Sequence, residues 1–193
     1  MPSPNRAITA PLREALSECF QSIIPLVRPE IQQQLVLYTE DVDILGPADA
    51  FIEIWNAIEL GVAGFSLEAD GRIAFDSKQN FRVRVDLLEA SEYVGQIYTT
   101  APYFGASLAS KMDLLRLRAT TIVERQEDGD MVDFRWLLGE VAREGESLPK
   151  LNKREIGNFL VVGTQIGQLD RLILAAIMGM HNEDAALRLL GLR

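Results

Sequence analysis

The chain has 193 residues, of which 48% are hydrophobic and 24% are charged. These values are typical of a globular protein with a real core, and the length fits one domain comfortably. The 28 acidic residues outnumber the 19 basic ones, so the net charge is −9. Proteins that bind nucleic acid tightly usually carry a basic face that neutralises phosphates, and we therefore expect no tight nucleic-acid binding here.

Cysteine and histidine each occur once, as Cys19 and His181. A single cysteine cannot form a disulfide within the chain, and a single histidine excludes a His-rich zinc site. Charged residues interrupt every apolar run well before the ~18 residues that a membrane span needs, and the N-terminus lacks a signal-peptide core. These features predict a cytoplasmic protein without membrane contact.

The first half of the chain predicts a small sheet with flanking helices. Residues 1–10 are expected to be flexible, and a helix follows from Pro11 to about Pro25. Residues 30–38 are ambiguous between a short helix and the approach to a strand. Further along the chain we predict, in order, a strand at 41–45, a helix at 48–60 ending at Gly61, a hairpin at 62–75 turning at Asp70-Gly71, and a strand at 81–88.

The second half predicts helices after a loop through Pro102 and Gly105. One helix carries an apolar stripe from Leu108 to Ile122 and is expected to begin slightly before Ser110, whose spacing to Asp113 also fits a capping box. Later helices carry the stripes Phe134 to Val141, Ile166 to Ala176 and Ala185 to Leu190, and both tryptophans, Trp55 and Trp136, are expected in the core. The fold class is therefore α+β, with one domain over 11–193 made of a sheet part at about 36–106 and a helical bundle at about 107–193.

Three aspartates could gather at one end of the predicted sheet. Side chains alternate across a strand, so Asp41 and Asp43 share one face, and Asp86 shares a face with Arg84 on the second strand. If these strands are neighbours, the three carboxylates converge. Such a cluster repels itself unless a cation neutralises it, and oxygen ligands favour Mg²⁺ or Mn²⁺. The alternative is an exposed strand face on which Arg84 and Asp86 form a surface ion pair.

A family resemblance rests on three segments of the sequence. The run Thr39-Glu40-Asp41-Val42-Asp43-Ile44-Leu45 resembles the R-x-T-x-D-[IV]-D motif of nucleotidyltransferase-fold proteins, in particular the abortive-infection toxin type and its fungal and bacterial relatives. Val85-Asp86-Leu87-Leu88 matches the family's strand with a third carboxylate. The run from Asp113 to Ala119 is similar to the family's DLL-x-[LM]-K-x-x-A helix, and Asp130 and Asp133 fall on its Asp-x-x-Asp pair.

The resemblance implies a nucleotidyltransferase-type sheet and a transferase that moves a nucleoside monophosphate from an NTP to a hydroxyl of a small molecule or protein. Asp41, Asp43 and Asp86 would be the catalytic and metal-binding residues for Mg²⁺ or Mn²⁺. Arg84, Lys111 and Arg116 would meet the phosphates, with Arg116 at the position of the family's lysine. The family's glycine turn before the Asp-x-Asp strand is missing, because residues 26–38 contain no glycine. The alternatives are a catalytically degenerate binding module, or a different chemistry in the same acidic pocket.

Overall fold

The computed structural model of the protein describes residues 9–38, 42–89, 99–125 and 128–193. These residues form two compact units, which we call the sheet unit, up to residue 109, and the helical unit, from residue 110. The sequence predicted that the helical part begins at about 107, close to this boundary. The predicted flexible segment 1–10 lies almost wholly outside the described residues, and Ala10 already belongs to a helix.

In its described residues, the sheet unit combines seven strands with three helices. Its helices are α1 (Ala10–Ile23), α2 (Pro29–Gln32) and α3 (Ala48–Glu59), with a 3-10 turn at Ile24–Leu26. Its strands are β1 (Val36–Tyr38), β2 (Val42–Gly46), β3 (Phe65–Leu67), β4 (Ile73–Asp76), β5 (Arg82–Glu89), β6 (Thr99–Tyr103) and β7 (Ala106–Ala109). The ambiguous segment 30–38 thus holds a one-turn helix followed by a strand.

All seven strands belong to one mixed sheet, in the order β3-β4-β5-β2-β1-β7-β6. The β2–β5 and β1–β7 pairs are parallel, and the other neighbouring pairs are antiparallel. The prediction that the strands at 41–45 and 81–88 are neighbours is confirmed as the central β2–β5 pair. A helix and a hairpin separate these strands in sequence, which gives the chain the length that a parallel connection requires.

Helices α1 and α3 contribute to the same hydrophobic core as the inward face of the sheet. Thr9 caps α1 by accepting a hydrogen bond from the Leu12 amide (3.4 Å). The buried residues of α1 recur at helical spacing, and alternate residues of β2 and β5 complete the core. The fully or nearly fully buried members from these three elements are Ala15, Cys19, Phe20, Ile23, Val42, Ile44, Val83 and Val85.

The predicted loop through Pro102 and Gly105 is wrong, because this segment forms the β6–β7 hairpin. Pro102 lies in an edge strand, where a missing N–H is tolerated, and Gly105 has φ +92° in the hairpin turn. In the sequence both residues indicate a loop, whereas in the structure Pro102 lies in an edge strand and Gly105 lies in a hairpin turn. Phe104 precedes Gly105 with φ 51°, an uncommon conformation for a bulky residue.

The helical unit contains five helices among the described residues. They are α4 (Lys111–Arg125), α5 (Asp128–Arg143), α6 (Lys153–Gln165), α7 (Gln168–Met178) and α8 (Glu183–Leu189). The expectation of helices after residue 107 is confirmed from Lys111 onward, and the described part of this region contains no strand after β7. Phe134 of α5 and Phe159 of α6 lie at the centre of the core, with ring centroids 6.3 Å apart.

Two helix boundaries differ from the sequence prediction. Leu108 lies in β7, and α4 begins only after Ser110, whose hydroxyl accepts a hydrogen bond from the Asp113 amide (3.1 Å). The stripe from Ile166 to Ala176 also does not form one helix, because Ile166 is extended at the end of α6 and Gly167 caps α7. In both places apolar residues on either side of a boundary imitate a continuous helical stripe.

Trp136 contradicts the expectation that both tryptophans lie in the core. Trp136 is 61% exposed on α5, whereas Trp55 packs against the core of the sheet unit.

Among the described residues, no helix combines the length and the apolar character that crossing a bilayer would require.

The two glycines inside α6 provide a matched test of the packing between α6 and α8. A Cβ at Gly163 would overlap Cδ2 of the buried Leu189, whereas a Cβ at Gly157 would meet no atom within 4 Å. We expect Gly163→Ala to destabilise the helical unit by about 1–3 kcal/mol through overpacking. Gly157→Ala should stabilise it by about 0.5–1 kcal/mol through helix propensity. Urea unfolding followed by circular dichroism measures both, and stabilisation by both substitutions would contradict the described α6–α8 packing.

Candidate functional site

Asp43 and Asp86 are direct neighbours across the β2–β5 pair. The parallel register aligns Val42 with Val85 and Asp43 with Asp86. Val42 and Val85 are buried in the core, so the alternation of each strand directs both aspartates to the opposite face of the sheet. Because neighbouring strands lie ~4.8 Å apart, two carboxylates in this register are close enough to bind one cation.

The third predicted ligand, Asp41, lies outside the described residues. Within the described ranges, no group of three or more histidine, cysteine, aspartate or glutamate side chains is arranged to hold a metal ion. The structure therefore brings together two of the three predicted carboxylates. Two adjacent carboxylates on an outward sheet face are a donor set of the kind that Mg²⁺ and Mn²⁺ prefer, and Asp43 and Asp86 are the described residues that could hold such an ion.

A row of charged side chains continues from Asp86 along the same face of β5. Arg84 and Arg82 alternate with the buried residues Val85 and Val83, so both arginines share the face of Asp86. Arg84 pairs with Glu68 (Nε–Oε2 3.4 Å), the residue that follows β3. The surface ion pair between Arg84 and Asp86 that the sequence left open is therefore replaced by a pair with Glu68.

Arg116, a predicted phosphate ligand, lies in the core of the helical unit. Its Nη1 donates to Asp113 Oδ1 (3.1 Å), and its Nη2 donates to Glu155 on α6. Only 3% of Arg116, 0% of Asp113 and 5% of Glu155 is exposed. Ser110 donates its hydroxyl hydrogen to the other oxygen of Asp113 (2.8 Å), and we call these four residues the buried ionic network. This burial favours a structural role for Arg116 over contact with a nucleotide.

Lys111, the other predicted phosphate ligand on α4, pairs with two glutamates of α5. Its Nζ donates to Glu144 and to Glu140 (3.0 Å). These hydrogen bonds, first that of Glu144 and then that of Glu140, raise the pKa of Lys111. The hydrogen bonds of Lys111 and then of Arg143 lower the pKa of Glu140. Lys111 therefore stays cationic, with its charge already matched by carboxylates.

Asp130 and Asp133 occupy the beginning of α5 and pair with one arginine. Arg118 on α4 contacts Asp130 (2.6 Å) and Asp133 (3.4 Å). Acidic residues near the N-terminus of a helix are stabilised by the helix dipole. Their shared pairing with Arg118 adds a link between α4 and α5.

Several backbone N–H groups of the segment without glycine before β2 are used within that segment. Gln32 donates to the Arg28 carbonyl (3.1 Å), Gln34 to Ile31 (2.8 Å) and Leu35 to Gln32 (3.0 Å). The Gln32 side chain also donates to the Val27 carbonyl (2.7 Å). These amides are therefore already satisfied and do not point at a ligand, unlike those of a phosphate-binding glycine turn.

The remaining reactive side chains in the described part of the chain do not form a second site. Burial, and secondarily the charge of Glu18, raises the pKa of Cys19 to about 12, so its thiol stays protonated and unreactive. His181 is exposed in the 3-10 turn Met180–Asn182. Its neighbour Asn182 is buried and bonds to the Leu151 amide (2.9 Å) and to the carbonyls of Pro149 and Met178 (both 2.8 Å), a structural role that the sequence did not indicate.

Sequence reasoning also missed the partners of the arginines. The Asp113–Arg116 spacing of three residues on a helix was a visible signal of an ion pair. Asn152 and Glu155 form a reciprocal capping box, a second local signal that placed Glu155 in the first turn of α6. Glu68 carried no local signal, because its contact with Arg84 depends on the β3–β4–β5 pairing.

Comparisons with known proteins assign neither a family nor a function. No protein-family model matches the chain, and no curated protein matches it. A structure described as the crystal structure of JHP933 from Helicobacter pylori is a weak structural neighbour, with 16% sequence identity and a TM-score of 0.42 over 93% of this chain and 88% of that one. A likeness of this degree identifies no fold family for the chain.

The buried ionic network generates a prediction that separates a structural role of Arg116 from a role in ligand binding. Arg116→Ala leaves the buried carboxylates of Asp113 and Glu155 without this cation, so we expect a loss of about 3–5 kcal/mol in the free energy of unfolding. The matched control is Arg188→Ala on the exposed side of α8, which should change stability by no more than about 0.5 kcal/mol. Urea unfolding measures both, and equal stability of the two variants would contradict the structural role.

Proposed function

We propose that the chain is a metal-dependent, nucleotidyltransferase-like protein that transfers a nucleoside monophosphate from an NTP to a hydroxyl of a small molecule or protein. The observation that carries the proposal is the register of Asp43 with Asp86 on adjacent parallel strands. This pair coincides with two of the three carboxylates in the Asp-x-Asp and third-strand motifs that resemble the nucleotidyltransferase superfamily. The register of the acidic pair supports the proposal beyond the motif spacing, which alone is weak evidence.

The proposed roles follow from the position of each side chain. Asp43 and Asp86, with Asp41, would hold Mg²⁺ or Mn²⁺, which when bound supplies Lewis-acid stabilisation of phosphoryl oxygens. Asp86 is exposed to solvent beside Asp43 and would accept the proton of the acceptor hydroxyl. Arg84 on the same face would meet the phosphates, whereas the pairing of Lys111 and the burial of Arg116 weigh against their contribution.

The net charge of the chain limits which classes of acceptor we propose. A net charge of −9 disfavours a long polyanion and favours a small molecule or a protein side chain. The single cysteine fits a reducing compartment, and a cytoplasmic location is part of the same proposal.

One observation favours a second candidate, a catalytically degenerate binding module on the same fold. The backbone amides of Gln32, Gln34 and Leu35 are used within their own segment, so they cannot cradle a triphosphate as a glycine turn does. An NTP would then depend on Arg84 and on the metal ion for its phosphate contacts.

The acidic pair predicts which carboxylates bind metal. Asp43→Asn and Asp86→Asn should each lower the affinity for Mn²⁺ at least ~10-fold, because even the partners of metal ligands typically contribute ~10–100-fold. Asp70→Asn, in the β3–β4 turn and also exposed, makes the same change of charge and serves as control. Electron paramagnetic resonance of free Mn²⁺ measures the affinities. Equal affinities in all three variants would exclude a metal site at Asp43 and Asp86.

The occupied amides before β2 predict weak nucleotide binding. With Mg²⁺ present, we expect a dissociation constant for NTP near ~1 mM, equivalent to about −4 kcal/mol, and slow or undetectable nucleotidyl transfer to common acceptors. Calorimetry measures the affinity, with Asp43→Asn as the variant in which the Mg²⁺-dependent part disappears. A micromolar complex that requires Mg²⁺ would refute the weak-binding prediction and favour an active enzyme over a degenerate module.

A further inference from the structure

Glu68 lies between two arginines of β5 on the face that carries Asp43 and Asp86. Its Oε1 contacts Arg82 Nε at 3.2 Å, and its Oε2 contacts Arg84 Nε at 3.4 Å. Two guanidinium groups thus bind opposite oxygens of one carboxylate. Planar guanidinium groups bind phosphate oxygens with the same donor geometry that they use for carboxylates, so this arrangement can receive a phosphate in place of Glu68.

The two arginines are held to different degrees. Arg82 also contacts Asp76 (3.0 Å) and the Ser66 hydroxyl (3.0 Å), so all three of its nitrogens have partners. For Arg84, the contact with Glu68 is the one ion pair within the described ranges, and its side chain is 56% exposed. Arg82 is therefore fixed in place, whereas Arg84 keeps donors that can turn toward a ligand.

The arginines stand at a defined spacing from the acidic pair. Asp86, Arg84 and Arg82 are alternate residues of one strand, so each step along the row is ~6.6 Å. Asp43 lies beside Asp86 in the neighbouring strand. An oligophosphate that reaches a cation at Asp43 and Asp86 would extend naturally toward Arg84 first and Arg82 second.

We propose that Arg84 and Arg82 form an oligophosphate-binding site and that Glu68 occupies it as a built-in competitor when no ligand is bound. The inference rests on the proposed function, because it names the residues that receive the phosphates of the NTP. Exposed ion pairs contribute little to stability, so an oligophosphate with several negative charges displaces the single carboxylate of Glu68 at small cost. The competition also contributes to the weak affinity for nucleotides.

Inorganic tripolyphosphate tests the site without metal or nucleoside. In EDTA and at low salt, Glu68→Gln should bind tripolyphosphate about three- to fivefold more tightly than the unaltered chain. This is the range that releasing Arg84 from one surface ion pair provides, since Arg82 stays held by Asp76 and Ser66. Glu59→Gln at the exposed end of α3 makes the same change of charge and should leave the affinity close to its original value. Arg84→Gln should weaken binding, and the Glu68→Gln, Arg84→Gln double variant should lose the gain. Calorimetry measures the dissociation constants of tripolyphosphate for the unaltered chain and for the four variants.

The experiment separates this inference from the proposed function. If Glu68→Gln binds tripolyphosphate no better than Glu59→Gln, or if the gain survives Arg84→Gln, the competitor role of Glu68 is refuted. Mn²⁺ binding, measured on the same Glu68→Gln protein, should still depend on Asp43. Loss of that dependence would refute the metal site. It would not change the conclusion from the tripolyphosphate titration, which is measured without metal.

Discussion

The candidate site depends on the register of the parallel β2–β5 pair. Val42 and Val85 enter the core side by side, and this burial fixes which residues of the two strands face outward. A slip of one residue would bring an aspartate into the core and expose a valine, so the hydrophobic core specifies the register strongly. The juxtaposition of Asp43 and Asp86 is thus a consequence of core packing. The proposed metal site follows from this juxtaposition, because two carboxylates held together attract a cation.

The two units use charge in different ways. In the sheet unit, Arg82 and Arg84 are exposed and their shared partner Glu68 is partly exposed, so these ion pairs are more easily rearranged. In the helical unit, Arg116 is buried between Asp113 and Glu155, where loss of one partner leaves a desolvated charge behind. This contrast supports the proposal that a ligand binds at the sheet face, and it favours a structural role for the buried ionic network, even though the sequence analysis placed arginines of both units near the phosphates.

The sequence predicted those parts of the fold that have a strong local period. The alternation at 81–88, the helix at 48–60 and the turn at Asp70-Gly71 all correspond to observed elements. The β6–β7 hairpin was missed because its strands are short and contain Pro102, and because β7 gains its place only by pairing with the distant β1. The pairing of β2 with β5 could be anticipated from the two aspartate motifs, whereas the contact of Glu68 with Arg84 required the register of three strands. Trp136 shows that a position beside an apolar stripe does not ensure burial, since its helix buries Leu137 and Leu138 and leaves Trp136 exposed.

The most direct test is the position of Mn²⁺ in a crystal of the protein soaked with the ion, located by anomalous scattering. We expect a peak within ~2.5 Å of carboxylate oxygens from both Asp43 and Asp86. We also expect the peak to disappear in Asp43→Asn crystals soaked in the same way. A soaked crystal with intact β2–β5 register and Mn²⁺ bound only elsewhere would show that this register does not create a metal site.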